Sequence, residues 1–270
     1  MEKISKVLQP AQRPTSGLSK TLPNSPRSNE GAGSGRQAAS PTPAQCTECG
    51  GVGYFRLDVP MGHPQFGKLI PCECQAENKL SRLQRLSGLT EAERSVRLAD
   101  IVAPAGSDTA LMVQAAQAFV SEPAGFLTIH GSTGNAKTAV MHGIVNELVK
   151  AGVEAVYITA FDLIGYIRAA FDDKHDVADV NAHERLKRLE RVQVLCLDEL
   201  DKVKWSDWVQ EQITDLIDVR YRHGLNWETG TVVAMNTNPE SLPAFIYSRL
   251  RDGRNMMVEN RDADVRPGME

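Results

Sequence analysis

Short apolar runs and longer amphipathic stretches alternate along most of this chain. Phe126-Leu127-Thr128-Ile129, Val153 to Ile158, Val192 to Leu197 and Thr231 to Ala234 are runs of strand length, rich in β-branched residues. Between them the spacing of apolar positions lengthens to that of helices. Asp108 starts one helix, which passes through Leu111, Ala115 and Phe119 and stops near Pro123; Ala139 to Lys150 forms a second. A third, over 161–172, carries Leu163, Ile167 and Phe171 on its core side and leaves Arg168 exposed. Thr90-Glu91-Ala92-Glu93 has the form of a capping box, so a helix is predicted to begin there. Apolar strands interleaved with helices give the fold class α/β: a parallel sheet with helices on both faces.

Ahead of residue 78 the pattern changes twice. Residues 1–45 hold 6 of the 14 prolines, 7 serines, 4 glycines and no aromatic residue, which predicts a disordered arm. Residues 46–77 gather four of the five cysteines, and 78–270 carry the α/β pattern. At 41% hydrophobic residues the chain has material for a core. The formal net charge is −4, and the arm contributes 6 Lys+Arg against 2 Asp+Glu, leaving −8 for residues 46–270. Any nucleic-acid contact must therefore be a local patch. No apolar run approaches ~18 residues and no apolar segment follows the first lysines, so a cytoplasmic chain with no membrane partner is expected.

Directly after the first apolar run comes Gly131-Ser132-Thr133-Gly134-Asn135-Ala136-Lys137-Thr138, leading into the helix at Ala139. In strand–loop–helix context this is a P-loop. Backbone amides and the positive helix end cradle the phosphates of ATP, Lys137 supplies charge to the β and γ oxygens, and the Thr138 hydroxyl sits on Mg2+. Ala136 stands where the pattern has its second glycine, and a residue that small is accommodated where φ is negative. Sixty-one positions after Lys137, the run Val194-Leu195-Cys196-Leu197 ends in Asp198 and Glu199. Asp198 is expected to hold Mg2+ and Glu199 to polarise the attacking water. Beyond the next strand, the Asn236 amide could orient that water, although Asn before Pro is also an ordinary turn signal at Asn238. Arg249, Arg251, Arg254 and Arg266 are available to stabilise phosphoryl charge, and periodicity does not choose among them.

Cys46-x2-Cys49 and Cys72-x-Cys74 are separated by 22 Gly-rich residues, which matches the two knuckles of a tetrahedral Zn2+ site. Four thiolates leave no open position, so such a site is structural. His63 as a substitute ligand and a redox dithiol are the alternatives.

From about Leu80 to Pro267 the chain resembles the DnaC/DnaI-type helicase loaders and the IstB-type transposition helper ATPases, both of the AAA+ class. The resemblance is carried by HGSTGNAKT (130–138), YITAFDLIGYIRAAFDD (157–173), VLCLDELDKVKW (194–205), RYRHG (220–224), AMNTNPESLP (234–243), SRLRDG (248–253) and DADVRP (262–267). It implies an AAA+ ATPase domain without a separate lid, over 78–270. It also implies that Asn236 is the sensor-1 amide, that Arg249 is an arginine finger acting on the next subunit's ATP, and that Arg266 is the sensor-2 arginine acting on its own. Loaders of this type often carry a cysteine module that resembles a docking element for the helicase. Arg168, Lys174, Arg185, Lys187 and Arg188 surround the segment that in the loaders faces single-stranded DNA; Glu184 and Arg188 are spaced to pair at i, i+4. Trp205 and Trp208, three apart on a helix, are expected in the core or at an interface rather than stacked on bases.

The expectation is then a helicase loader. It binds a ring-shaped hexameric replicative helicase, self-associates through its ATPase interfaces, and assists loading on single-stranded DNA. A transposition helper on duplex DNA and a nucleotide-sensing protein that does not hydrolyse ATP are the alternatives.

Overall fold

The computed structural model describes residues 46–47, 49–50, 52–171 and 178–264; the arm at 1–45, Lys174 and Arg266 lie outside the described residues. The chain divides into two compact units, Met1–Asn78 and Lys79–Glu270.

In the first unit, β1 (Tyr54–Phe55) and β2 (Ile70–Pro71) pair antiparallel, and helix α1 (Cys74–Leu86) begins. Gly53 shapes the turn that carries the cysteines. It sits at φ +81°, where a Cβ would meet Gln75 Nε2 at 2.7 Å, and its carbonyl accepts the Cys72 amide at 2.8 Å.

In the second unit the order is α2 (Asp108–Ser121), β3 (Gly125–Gly131), α3 (Lys137–Lys150), β4 (Ala155–Thr159), α4 (Ala160–Phe171) and α5 (Ala178–Arg191). Then follow β5 (Val194–Asp198), α6 (Asp207–Leu225), β6 (Gly230–Met235), α7 (Ala244–Leu250) and β7 (Met256–Asn260). Five strands form one parallel sheet in the order β4-β5-β6-β3-β7. Every residue of β5 and β6 is buried, as a sheet covered on both faces requires. Successive side chains go to opposite faces. Leu127, Ile129, Val194, Cys196 and Val232 pack with α2 and α3. Phe126, Val156, Leu195, Leu197 and Val233 pack with α4 and α6.

Arg220 of α6 ties this second face together. It is fully buried, and its guanidinium donates to Thr231 Oγ1 at 2.8 Å, to the carbonyls of Leu189 and Val192 at 2.8 and 3.1 Å, and to Gly230 O at 2.5 Å. A cation is tolerated there because backbone oxygens surround it. Burial nonetheless pulls its pKa down to about 9.

Four details depart from the sequence reading. The capping box forms, with Thr90 N 2.8 Å from Glu93 Oε2 and Glu93 N 3.4 Å from Thr90 Oγ1, but it opens only a 3-10 turn over Glu93–Ser95. The reason is tertiary: Asn146 of α3 donates to the carbonyls of Glu93 and Val96, which a continuing helix would use. Strand β7 does not stand out in the sequence, because of its five residues Met256–Asn260 only Val258 is β-branched. Trp205 precedes α6, whose N-cap is Ser206, so the two tryptophans do not share a helix; both pack against the second core face. Arg188 pairs with Glu154, Nε and Nη2 lying 2.9 and 2.8 Å from Oε1, and not with Glu184.

Candidate functional site: a phosphate-binding pocket and a thiol cluster

The carboxyl ends of β3, β5 and β6 open onto a pocket of about 520 Å3 lined by residues 133–139, Asp198, Glu199, Lys202 and Asn236. Ligands of open α/β sheets bind at this edge of the sheet. Of the predicted residues, the structure thus brings together Thr133 to Thr138, Asp198, Glu199 and Asn236, which are separated by up to 103 positions in sequence. Gly131 and Ser132 lead into the loop from β3. Arg249 does not line the pocket.

The loop has little freedom. Gly131 has φ +134°, and a Cβ there would lie 1.9 Å from Asn260 O. Ala136 has φ +65°, in the left-handed region, which corrects the expectation of a negative φ. An L-residue there costs roughly 1–2 kcal/mol. The cost is borne because Ala136 closes the loop just before α3, with its carbonyl accepting the Val140 amide at 2.9 Å. Lys137 is buried, and its ammonium donates to the carbonyls of Gly131 and Ser132 and to Asn135 Oδ1 at 2.9, 2.5 and 2.9 Å.

Bracing from the last strand was not foreseen. Asn135 Nδ2 donates to Asn260 O at 2.7 Å and Asn260 Nδ2 donates to Asn135 O at 3.1 Å. Ser132 Oγ donates to the Asp262 carbonyl at 3.1 Å, while the Asp262 carboxylate accepts the Thr109 amide of α2 at 2.7 Å. The signal in sequence is a bare Asn-x-Asp, which periodicity does not register.

Asp198 is the hub of the pocket. Its Oδ2 accepts the Thr138 hydroxyl at 2.8 Å and the Tyr157 hydroxyl at 3.0 Å, and its Oδ1 accepts the Glu199 amide at 2.8 Å. Burial, and then the Asp198 charge, push the Tyr157 hydroxyl well above the usual phenol range, so it stays a donor. Glu199 has φ +59° and pairs through its carboxylate with the Lys202 ammonium. That hydrogen bond raises the pKa of Lys202. A hydroxyl and a carboxylate in contact are hard oxygen donors, and Thr138 with Asp198 fit Mg2+ beside bound phosphates. Asn236 is half-buried at the end of β6, whereas Asn238 makes the turn, its Oδ1 accepting the Glu240 amide at 3.0 Å.

Arg249 is held within its own chain. Its guanidinium lies 3.3 Å from Asp218 Oδ1 and stacks over Phe245 and Tyr221 at 4.2 and 4.9 Å, and its Nε is buried with no hydrogen-bond partner among the described residues. Arg251 stacks over Tyr247 and Arg254 pairs with Asp252. Of the basic residues named for DNA, Arg168 and Lys187 are exposed, and Arg185 lies 5.4 Å over the Tyr166 ring.

In the first unit the sulfurs of Cys46, Cys49, Cys72 and Cys74 all lie within 4.8 Å of one another, with Cys46–Cys72 at 3.7 Å and Cys49–Cys74 at 3.4 Å. A tetrahedral site with zinc–sulfur bonds of about 2.3 Å places its sulfurs about 3.8 Å apart, so the donor set and its spacing fit Zn2+. The Gly53 amide points at Cys49 Sγ at 3.2 Å, as knuckle turns do. His63 is exposed and outside the cluster, its Nδ1 accepting the Gln65 amide at 3.2 Å. Cys196 is buried in β5 as a core residue.

The family model described as IstB-like ATP binding protein matches residues 72–236. YqaM, an uncharacterized protein of Bacillus subtilis (strain 168), is 26% identical over 167 residues, covering 56% of this chain and 50% of its own. The chain thus spans half the length of that relative. Among solved structures, DnaI superposes with a TM-score of 0.54 at 20% identity, over 68% of this chain and all of that one. DnaA from Aquifex aeolicus, bound to AMPPCP, gives 0.51 at 17% identity, over 61% of this chain and 50% of that one. At these identities the likeness carries the fold alone, a parallel sheet with a phosphate-binding loop at its edge.

Proposed function

Because the chain belongs to the IstB-like ATP binding protein family, we propose that it is an ATP-driven loader of a ring-shaped replicative helicase onto single-stranded DNA. The observation that carries the proposal is the convergence of Lys137, Thr138, Asp198, Glu199 and Asn236 on one pocket at the sheet edge, in a chain that also bears a four-cysteine cluster. The fold likeness to DnaI supports it.

In this reading residues 131–138 hold the triphosphate, with Lys137 moving from the loop carbonyls to the β and γ oxygens. Thr138 and Asp198 would hold Mg2+, which would supply charge stabilisation to the transferring phosphoryl group. Glu199, released from Lys202, takes the proton of the attacking water, and Asn236 orients that water. Arg249 reaches the γ-phosphate of a neighbouring copy once it leaves Asp218, and Arg266 acts on the chain's own nucleotide. This makes hydrolysis depend on assembly. Residues 46–77 form a structural zinc module that docks the helicase in the cytoplasm. Arg168, Arg185 and Lys187 contact the DNA.

A second reading, a transposition helper acting on duplex DNA, is favoured by the family match itself and leaves the cysteine cluster without a role. Native mass measurement of the full chain with the replicative helicase, in ATP, ADP and no nucleotide, tests the proposal. A nucleotide-responsive complex that needs residues 46–76 supports the loader. Absence of that complex, with ATP-dependent filaments on duplex DNA instead, overturns it in favour of the helper.

A further inference from the structure

Tyr157 stands one step outside the pocket and belongs to neither phosphate motif. On β4 it lies opposite Cys196 of β5, so its side chain shares a sheet face with Cys196 and, two residues further along, Asp198. Of the three donors given for the Asp198 carboxylate among the described residues, Thr138 and the Glu199 amide come from the phosphate-binding motifs themselves. Tyr157 brings the third, at 3.0 Å, from the neighbouring strand.

The ring that carries this hydroxyl packs on His142, and its backbone is pinned by Ser87 and Gly88. It stands edge-on to His142 of α3, with ring centroids 4.6 Å apart at 81°. Its backbone amide donates to Ser87 O at 2.7 Å, and Gly88, at φ +79°, brings its Cα so close that a Cβ would lie 2.2 Å from Tyr157 O. A carboxylate at the end of a strand turns about its last bond unless donors define its plane. Thr138 defines it from the loop that lines the pocket, whereas Tyr157, which does not line the pocket, defines it from the neighbouring strand.

We propose that Tyr157 is a positioning residue that presets the Asp198 carboxylate for magnesium. The inference rests on the reading of the pocket as a magnesium–ATP site. Outer-shell hydrogen bonds of this kind are worth about 10- to 100-fold in metal affinity. Tyr157→Phe keeps the ring against His142 and removes only the donor.

The test is binding of the fluorescent nucleotide mant-ADP to the full chain, in EDTA and across a magnesium titration. In EDTA, Tyr157→Phe is expected to bind mant-ADP within about twofold of wild type, while its half-saturating magnesium rises about tenfold. Superimposable magnesium curves overturn the proposal. Equal weakening with and without magnesium also overturns it, because the hydroxyl then merely supports the fold. A wild-type affinity indifferent to magnesium overturns the pocket reading and this proposal together, and is distinguished by being visible before any substitution.

Discussion

The backbone amide of Glu199 donates to the carboxylate of Asp198 at 2.8 Å, so two consecutive acids are held with their carboxylates on different tasks. Asp198 faces Thr138 and Tyr157, and Glu199 faces Lys202. The left-handed φ of +59° at Glu199 is what turns them apart. A non-glycine residue held there stores roughly 1–3 kcal/mol, a kind of strain that collects at functional sites.

Division of labour between the two acids predicts a separable defect. Glu199→Gln should bind ATP as wild type does and hydrolyse it about 10²- to 10⁴-fold more slowly, the usual contribution of a general base. Single-turnover hydrolysis beside equilibrium ATP binding checks this, and parallel loss of both would contradict it.

Arg249 is stacked and paired inside its own subunit, so a role in trans requires it to exchange Asp218 for a neighbour's phosphate. Arg249→Ala should leave ATP binding and the slow rate of dilute protein unchanged. It should remove stimulation by assembly, an effect of about 10³-fold or more for an arginine finger. Rates compared across protein concentration decide the matter; equal stimulation in wild type and variant removes the trans contact.

The cysteine cluster predicts a metal count. Four thiols within 4.8 Å of one another fit a shared cation. The full chain should contain about one zinc per molecule, released by strong chelators with loosening of residues 46–76, while ATP binding persists. Protein free of zinc, with this region unchanged in hydrogen exchange, contradicts the site.

Arg220 predicts a stability effect without a chemical one. Arg220→Met strands at least four buried acceptors, including the carbonyls of Leu189, Val192 and Gly230. At about 1–3 kcal/mol per buried unsatisfied group, a loss of at least about 4 kcal/mol is expected in urea denaturation. A small shift in the midpoint would show that water replaces the guanidinium.

Features held within short windows of sequence were the legible ones. The four apolar runs became β3 to β6, and the helix from Asp108 appeared with Ser107 as its cap, because both signals are periodic and local. The phosphate loop and the two acids were legible because each motif is contiguous. Contacts made across the fold escaped. Tyr157 on Asp198, Asn260 on Asn135 and Asn146 on the capping-box turn join residues 41 to 125 positions apart. No local spacing encodes them. Ala136 departs from the sequence reading for a related reason: its residue type argues for negative φ, and the loop closure onto α3 imposes the opposite sign.

Strand displacement on closed circular single-stranded DNA, which offers a ring helicase no free end to thread, tests loading most directly. With ATP, the helicase should displace an annealed oligonucleotide only when the full chain is present, and Lys137→Ala should abolish that help. Displacement that is equally fast without the chain, or absent with it, would contradict the account.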